Sequence, residues 1–406
     1  MEGMRAFLLA LLAAFAAFPL PSLSQGDAAA QRIARVEALL KDRPEDATLH
    51  FFLARFQCEA GNVAAAVAAL QNVEKFGDGF LPTKEGFENC SSDVKFRAVR
   101  SRMEARLPRL DFAPAAFELE DRTLLPEGIA YDPPSGAFFL GSTAKGTITQ
   151  VGFGNALTEF SPRIGGLDAV LGLTVDAPRR LLYAVATSAL TAQGRKQPAN
   201  AILAFDVDKH TLLRRVDVPG AQQLNDVTVA FGGRVFTTDS TSGAVYEIPK
   251  EGAVRTLVPA DRLRGSNGLA ASPDGKRLYV AHSTGIALVN PDTGEVKRVN
   301  NTTRETVAAI DGLYEYQGDL IGVQNVTTPG RVIAIALSRD GETITRVRTL
   351  LSHHHNALDE PTTGVPTDHG FYLLAATGVR HLNDNGKIDE PDSVPVPLVV
   401  RVLLPR

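Results

Sequence analysis

Two carboxylates and two carboxamides recur at one position of a repeating phrase, and their meeting would decide what chemistry the chain can hold. The phrases are Pro126-Glu127-Gly128-Ile129, Leu224-Asn225-Asp226-Val227, Ser266-Asn267-Gly268-Leu269 and Ile310-Asp311-Gly312-Leu313. Val170-Leu171-Gly172-Leu173 and Thr362-Thr363-Gly364-Val365 are apolar and hydroxyl-bearing versions of the same phrase. If the second residues of all six converge on one axis, Glu127, Asn225, Asn267 and Asp311 face each other in a narrow space. Two unpaired carboxylates there repel, and burial drives one of them to take up a proton. A divalent cation removes the conflict. Two negative charges match a +2 ion, and an all-oxygen set with two neutral amides suits Ca2+, or another divalent cation. Zinc is a poor match, since no His or Cys stands in the column. A solvated polar channel without metal is the alternative reading.

The elements that must bring these residues together are legible in the spacing. The six positions are separated by 44, 54, 42, 44 and 52 residues, about 47 on average. Each phrase is followed by a turn and an apolar strand: AFFLGST, LLYAVATS, RVFTTDST, RLYVAHST, DLIGVQNV and GFYLLAAT. A third strand comes next, as in Gly243-Ala244-Val245-Tyr246-Glu247-Ile248, and then hairpin signals such as Pro291-Asp292-Thr293-Gly294. Four short antiparallel strands per repeat of this length is the period of a propeller blade. Six repeats predict a mainly β chain, a six-bladed β-propeller over residues 115–406. A β-sandwich, the competing all-β fold, does not require the period. The Gly after the column position lets the innermost strand approach the crowded axis. Because the second strand of each blade returns to the face from which the first departs, Ser142, Thr187, Asp239, His282 and Gln324 are expected to ring the same mouth.

The phrases with Glu127, Asn225-Asp226, Ser266-Asn267-Gly268-Leu269 and Asp311-Gly312 resemble the metal and substrate positions of the senescence marker protein/gluconolactonase (regucalcin-like) family. More distantly they resemble those of the paraoxonases, and the likeness spans residues 121 to about 390. It implies Glu127, Asn267 and Asp311 as direct metal ligands and Asn225 as a ligand or substrate contact. It also implies a hydrolase acting on a lactone or related ester. In such an enzyme the cation polarises the carbonyl and lowers the pKa of a neighbouring water. Asp311, His282 or Asp239 would accept the proton, and Asn225, Ser142, Thr187 and Gln324 would contact the substrate. His282 as a strand cap and Asp239 as a turn former are the structural alternatives. The competing function is a non-catalytic propeller, pinned by a metal, that binds a sugar, a peptide or a protein.

Three further segments bear on that site. The insertions Ala189 to Asn200 and Ser352 to Thr362 account for the two long intervals and fall on the column face, where loops set substrate choice. The second carries His353, His354 and His355, which as consecutive histidines read either as a metal or proton-transfer element or as solvated loop. Asn383-Asp384-Asn385-Gly386-Lys387-Ile388 resembles an EF-hand loop, but Asn-Gly also marks a hairpin, expected here where the third strand of blade six ends.

Upstream of the propeller the composition changes. Residues 28–110 are rich in Ala, Leu, Glu, Lys and Arg with helical spacing, and Leu53-Ala54, Gly61, Ala66 and Leu70 resemble one tetratricopeptide repeat. A single repeat cannot bury its own face, so it is expected to pack on flanking helices or on the propeller, with a protein contact as a further role. Cys58 and Cys90, the only thiols, both lie in this segment, and either pair in an oxidising compartment or stay buried and free. Before it, the apolar run Phe7 to Phe18 with Arg5 ahead and Pro19, Pro21 and Ser22-Leu23-Ser24 behind reads as a signal peptide over residues 1–24, placing the mature chain in the periplasm or outside the cell. The run is too short to span a membrane, and no membrane association is expected after cleavage. Of the 406 residues, 42 are Lys or Arg and 46 Asp or Glu, a net charge of −4, which removes the electrostatic basis of a nucleic-acid binder. The absence of Trp counts against the WD40 class of propellers.

Overall fold

A computed structural model describes residues 25–191, 198–383 and 386–404. The predicted signal peptide lies outside the described residues.

Among the described residues four helices come first: α1 (Gln25–Asp42), α2 (Ala47–Glu59), α3 (Val63–Phe76) and α4 (Val94–Glu104). Asp46 starts α2 by accepting the N–H groups of Thr48 at 3.0 Å and Leu49 at 3.2 Å, and Asp93 caps α4 through the Phe96 N–H at 2.8 Å. The α2–α3 turn needs Gly61, whose φ is +80°. Phe51, Ala54 and Cys58 of α2 pack against Ala66, Leu70 and Val73 of α3, with Phe80, Phe87 and Phe96 closing the cluster. Cys58 and Cys90 form a disulfide across 32 residues, tying α2 to the short turn Glu88–Cys90. The repeat-like pair therefore rests on its own flanks on one side. Its other stripe packs on the propeller, where Leu49, Phe52 and Phe56 share one apolar cluster with Ala309 and Val326.

The propeller has six antiparallel blades whose innermost strands are Pro126–Asp132, Ala169–Asp176, Leu224–Ala230, Leu269–Ala271, Ile310–Tyr316 and Gly364–Thr367. Blades one to four run outward in sequence order from their inner strands, and blades five and six do so up to their outermost edge strand. The ring is closed by the strand Ala115–Glu118, which pairs antiparallel with Leu398–Val402 and supplies the outermost strand of blade six. This joins the two ends of the propeller sequence and leaves no open seam between first and last blades. Blade five gains an extra edge, Asn300–Asn301, parallel to Thr343–Leu351.

One expectation is corrected. The third strand of blade six is Leu398–Val402, not a strand ending near Asn383. Pro391, Pro395 and Pro397 cannot donate to a ladder, and the described residues of 377–383 and 386–397 are loop with short turns at Val379–His381 and Pro391–Ser393. Within it Leu382 and Ile388 pair as an antiparallel bridge. Asp384 and Asn385 lie outside the described residues.

Candidate metal centre and catalytic mouth

Each column residue sits at the start of an inner strand or, for Asn267 and Thr363, one or two residues before it, which places all six at one end of the central axis. Glu127 is fully buried, Asp311 is 1% exposed, Asn267 2% and Asn225 4%. Asp311 accepts hydrogen bonds from Asn267 Nδ2 and Asn325 Nδ2, each at 2.6 Å. Asn225 donates through Nδ2 to Ser240 Oγ at 2.8 Å. Thr363 spends its hydroxyl on the Glu127 carbonyl.

Glycine at the next position is a requirement of this crowding. A Cβ on Gly268 would lie 2.5 Å from the Asp311 carbonyl oxygen, and one on Gly172 would lie 2.8 Å from that of Asn225. Gly128, Gly172, Gly268, Gly312 and Gly364 hold this position in five blades; Asp226 holds it in the sixth. A third carboxylate therefore enters the packed centre, where Asp226 is 6% exposed and caps the Val227 N–H at 2.8 Å. Sequence reasoning quoted Asp226 without assigning it a role; its standing where glycine otherwise stands is the signal that would have found it.

Electrostatics follow from burial. The Glu127 carboxyl is pushed well above its usual range, first by desolvation and then by the negative charges of Asp311 and Asp226. Burial lifts Asp226 to about 7. Burial also lifts Asp311 to about 7, against the hydrogen bonds from Asn325 and Asn267 that hold it down. Tyr314, whose hydroxyl accepts the Gly364 N–H at 3.0 Å, is raised by burial and by the same acidic cluster.

The donor set fits a hard cation in one respect that can be checked atom by atom. Both carboxylate oxygens of Glu127 and the amide oxygen of Asn325 are buried with no hydrogen-bond partner, and such atoms cost free energy unless something satisfies them. Among the described residues no three His, Cys, Asp or Glu side chains come together at metal-holding distances. A cation there would draw on the amide oxygens of Asn225 and Asn267 as well as on Glu127 and Asp311. Backbone strain marks the same blades: Leu125, Gly265 and Ala309, each two residues before Glu127, Asn267 and Asp311, have φ of +44°, +66° and +50°. For Leu125 and Ala309 this conformation costs about 1–2 kcal/mol each, and such strain gathers at functional sites.

The expected ring of second-strand ends divides differently. The residues that reach the column are Ser240 and Asn325, one position beyond Asp239 and Gln324. Side chains alternate along a strand, so a shift of one residue exchanges inward for outward. Asp239 gives its two oxygens to the backbone N–H groups of Gln222, Gln223, Thr241 and Ser242 at 2.7–3.1 Å. Gln324 donates to the Ala308 carbonyl at 2.7 Å and accepts from Arg331 Nε at 2.7 Å. Ser142 bonds the Leu124 carbonyl, and Thr187 bonds Asn200 Oδ1 at 2.8 Å. These four side chains hold loops. The His282 Nδ1 accepts the Thr284 N–H at 3.4 Å, and its imidazole is pushed down to about 4 by burial and by Arg298 and Arg43. Its carbonyl accepts the Ala309 N–H at 3.2 Å.

The insertion 352–362 does lie on the column face, between the last strand of blade five and Gly364. Of its histidines, His353 lies 3.4 Å from Glu104 of α4, His354 Nδ1 meets Ser352 Oγ at 3.0 Å, and His355 Nε2 meets the carbonyl of Ala113, in the link between α4 and the propeller, at 2.9 Å. In the other insertion, residues 192–197 lie outside the described residues.

No protein-family model matches the chain, and no curated protein matches it. Solved structures do. The chain is similar to an aldose sugar dehydrogenase from Streptomyces coelicolor in its PQQ-bound form, at 14% identity and a TM-score of 0.51 over 73% of this chain and 99% of that one. It is similar to a luciferin-regenerating enzyme at 16% identity and 0.50, over 72% and 95%. A gluconolactonase from Xanthomonas campestris aligns at 17% identity and 0.47, over 72% and 91%. The chain is a six-bladed β-propeller preceded by a helical segment. At these identities the likeness establishes that fold and leaves the reaction to the site itself.

Proposed function

We propose that the protein is a Ca2+-dependent hydrolase of a lactone or related ester. The observation that carries this reading is the pair of unpartnered, fully buried Glu127 oxygens beside two further buried carboxylates. Glu127, Asn225, Asn267 and Asp311 would hold the ion. Bound there, it would polarise the substrate carbonyl and lower the pKa of an attacking water. Among the three proton acceptors drawn from the sequence, Asp311 is the one in the column. Its two amide donors fix its orientation, whereas Asp239 is spent on four backbone amides and His282 stands against Arg298 and Arg43. Asp311 is therefore assigned as the base, and Asn325 as the residue that aims it. The apolar run at the N-terminus and the Cys58–Cys90 disulfide together support an exported, oxidised protein.

A second reading has its own support. Every column side chain is 6% exposed or less, which suits a metal that pins the blades while another surface binds a sugar, peptide or protein. Hydrolysis of a lactone and ester panel with and without Ca2+, using Asp311→Ala as the control, separates the two. Turnover that needs both the metal and Asp311 supports the enzyme. Tight Ca2+ binding without turnover of any compound leaves the structural pin and overturns the enzyme.

A further inference from the structure

The helical segment sits on the column face, and its contacts concentrate on the two loops of blade five that carry Asp311 and Asn325. On the entering loop, Asp78 pairs with Glu305 as a parallel bridge: its N–H donates to the Arg304 carbonyl at 2.8 Å and its carbonyl accepts the Thr306 N–H at 3.0 Å. On the returning loop, Leu81 N–H donates to the Thr327 carbonyl at 2.8 Å. Between these two strips, Arg331, 3% exposed, joins Glu305 at 2.8 Å to Gln324 at 2.7 Å. Gly79 closes over that ion pair with φ of +81°, and a Cβ there would lie 2.7 Å from Arg331 Nη1.

The apolar contact is more pointed. Leu49, Phe52 and Phe56 of α2 are buried in one cluster with Ala309 and Val326. Ala309 is the left-handed residue two positions before Asp311, and Val326 directly follows Asn325. A left-handed alanine opposes its own backbone preference by about 1–2 kcal/mol, so the surrounding packing must hold it there. Helix α2 supplies that packing, together with the His282 carbonyl on the Ala309 N–H and the Gln324 amide on the Ala308 carbonyl.

We infer that α2 is a positioning element of the site, with Phe52 and Phe56 holding the Ala309 turn and the Val326 loop so that Asn325 and Asp311 meet. The helical segment is thus the support of one wall of the column rather than an appended module. The part of this inference that concerns metal rests on the Ca2+ reading above; the part that concerns loop order does not.

The test uses the full chain and two readouts. Hydrogen exchange is followed in the segments 306–313 and 323–328, and Ca2+ affinity is measured by titration calorimetry. Phe52→Ala is expected to speed exchange in both segments by about tenfold or more and to weaken Ca2+ binding by about tenfold, the size of effect seen when a residue supporting a ligand is lost. Phe52→Leu, which refills the space, restores most of both. Met103→Ala removes a buried side chain from the core that the helical segment shares with α4, away from the propeller, and leaves both readouts unchanged. Val326→Ala, a smaller truncation from the propeller side, gives the Phe52→Ala pattern and serves where the larger change prevents folding. Unchanged exchange in 306–313 and 323–328 in Phe52→Ala and Val326→Ala overturns the inference, as does an equal change in Met103→Ala. If the wild-type chain takes up no Ca2+, the metal reading fails and the exchange comparison alone decides the inference.

Discussion

Replacing Glu127 by Gln separates a metal centre from a merely acidic core in one experiment. Glu127 is fully buried and neither of its carboxylate oxygens has a partner. Without a cation, its charge is opposed by desolvation and by Asp311 and Asp226. Removing a buried charge that lacks compensation is stabilising, by about 1–3 kcal/mol on the scale of buried ionic groups replaced by neutral ones. Glu127→Gln is therefore expected to melt higher than wild type in the presence of a chelator. With Ca2+ that gap closes or reverses. A ligand at 100 times its Kd stabilises the folded state by about 2.7 kcal/mol, which for a domain of this size is a rise of about 5 °C. The wild type should show that rise. Glu127→Gln, having lost one of two charges and one of the two unpartnered oxygens, should show little of it. Scanning calorimetry of both chains with chelator and with Ca2+ gives the four numbers. A mutant that melts lower than wild type in chelator and still gains the full Ca2+ increment would refute the reasoning, because Glu127 would then be a stabilising group outside the metal site.

Further expectations follow from other contacts. Asn325→Ala removes one of the two donors that aim Asp311 and is expected to lower kcat by about 10- to 100-fold with a smaller change in KM, read by steady-state kinetics on a turned-over lactone. Gly268→Ala places a methyl group 2.5 Å from the Asp311 carbonyl and should cost about 1–3 kcal/mol in chemical denaturation. Reduction of Cys58–Cys90, or Cys58→Ser with Cys90→Ser, should cost the helical segment about 3–4 kcal/mol for a closed loop of 32 residues, seen as earlier unfolding of α2–α4 by hydrogen exchange. His282 is held neutral by burial, its pKa lowered from 6.5 to about 4. The unfolded chain therefore binds the extra proton first. The stability this contributes is complete above pH 6.5 and is lost as pH falls through 4, and His282→Gln should flatten that part of the denaturation profile.

Much of the propeller was legible because its signals are local and repeat. A glycine beside five of the six column positions, an apolar strand after each turn and a steady period together define six blades. The closure by Ala115–Glu118 was not, since four residues with one buried side chain carry no period and their partner lies almost 300 residues away. At the site, the column residues stood out because polar side chains are rare at the start of a buried strand. Ser240 and Asn325 were missed for a reason of parity: strand ends read from sequence are uncertain by a residue or two, and one residue decides whether a side chain meets the axis or the loop behind it. Asp239 and Gln324 have the polar character of site residues but spend it on backbone groups. Packing of the repeat-like pair on flanking helices or on the propeller was expected, but nothing in the sequence paired Leu49, Phe52 and Phe56 of α2 with Ala309 and Val326.

Whether the column holds one Ca2+ on which hydrolysis depends is tested most directly by calorimetric titration of chelator-treated protein with Ca2+, followed by assay of the same samples against a lactone. One ion is expected to bind per chain, with activity rising in proportion to occupancy and both lost in Asp311→Ala. No bound ion, or hydrolysis that is the same in chelator as in Ca2+, would rule the metal-dependent enzyme out.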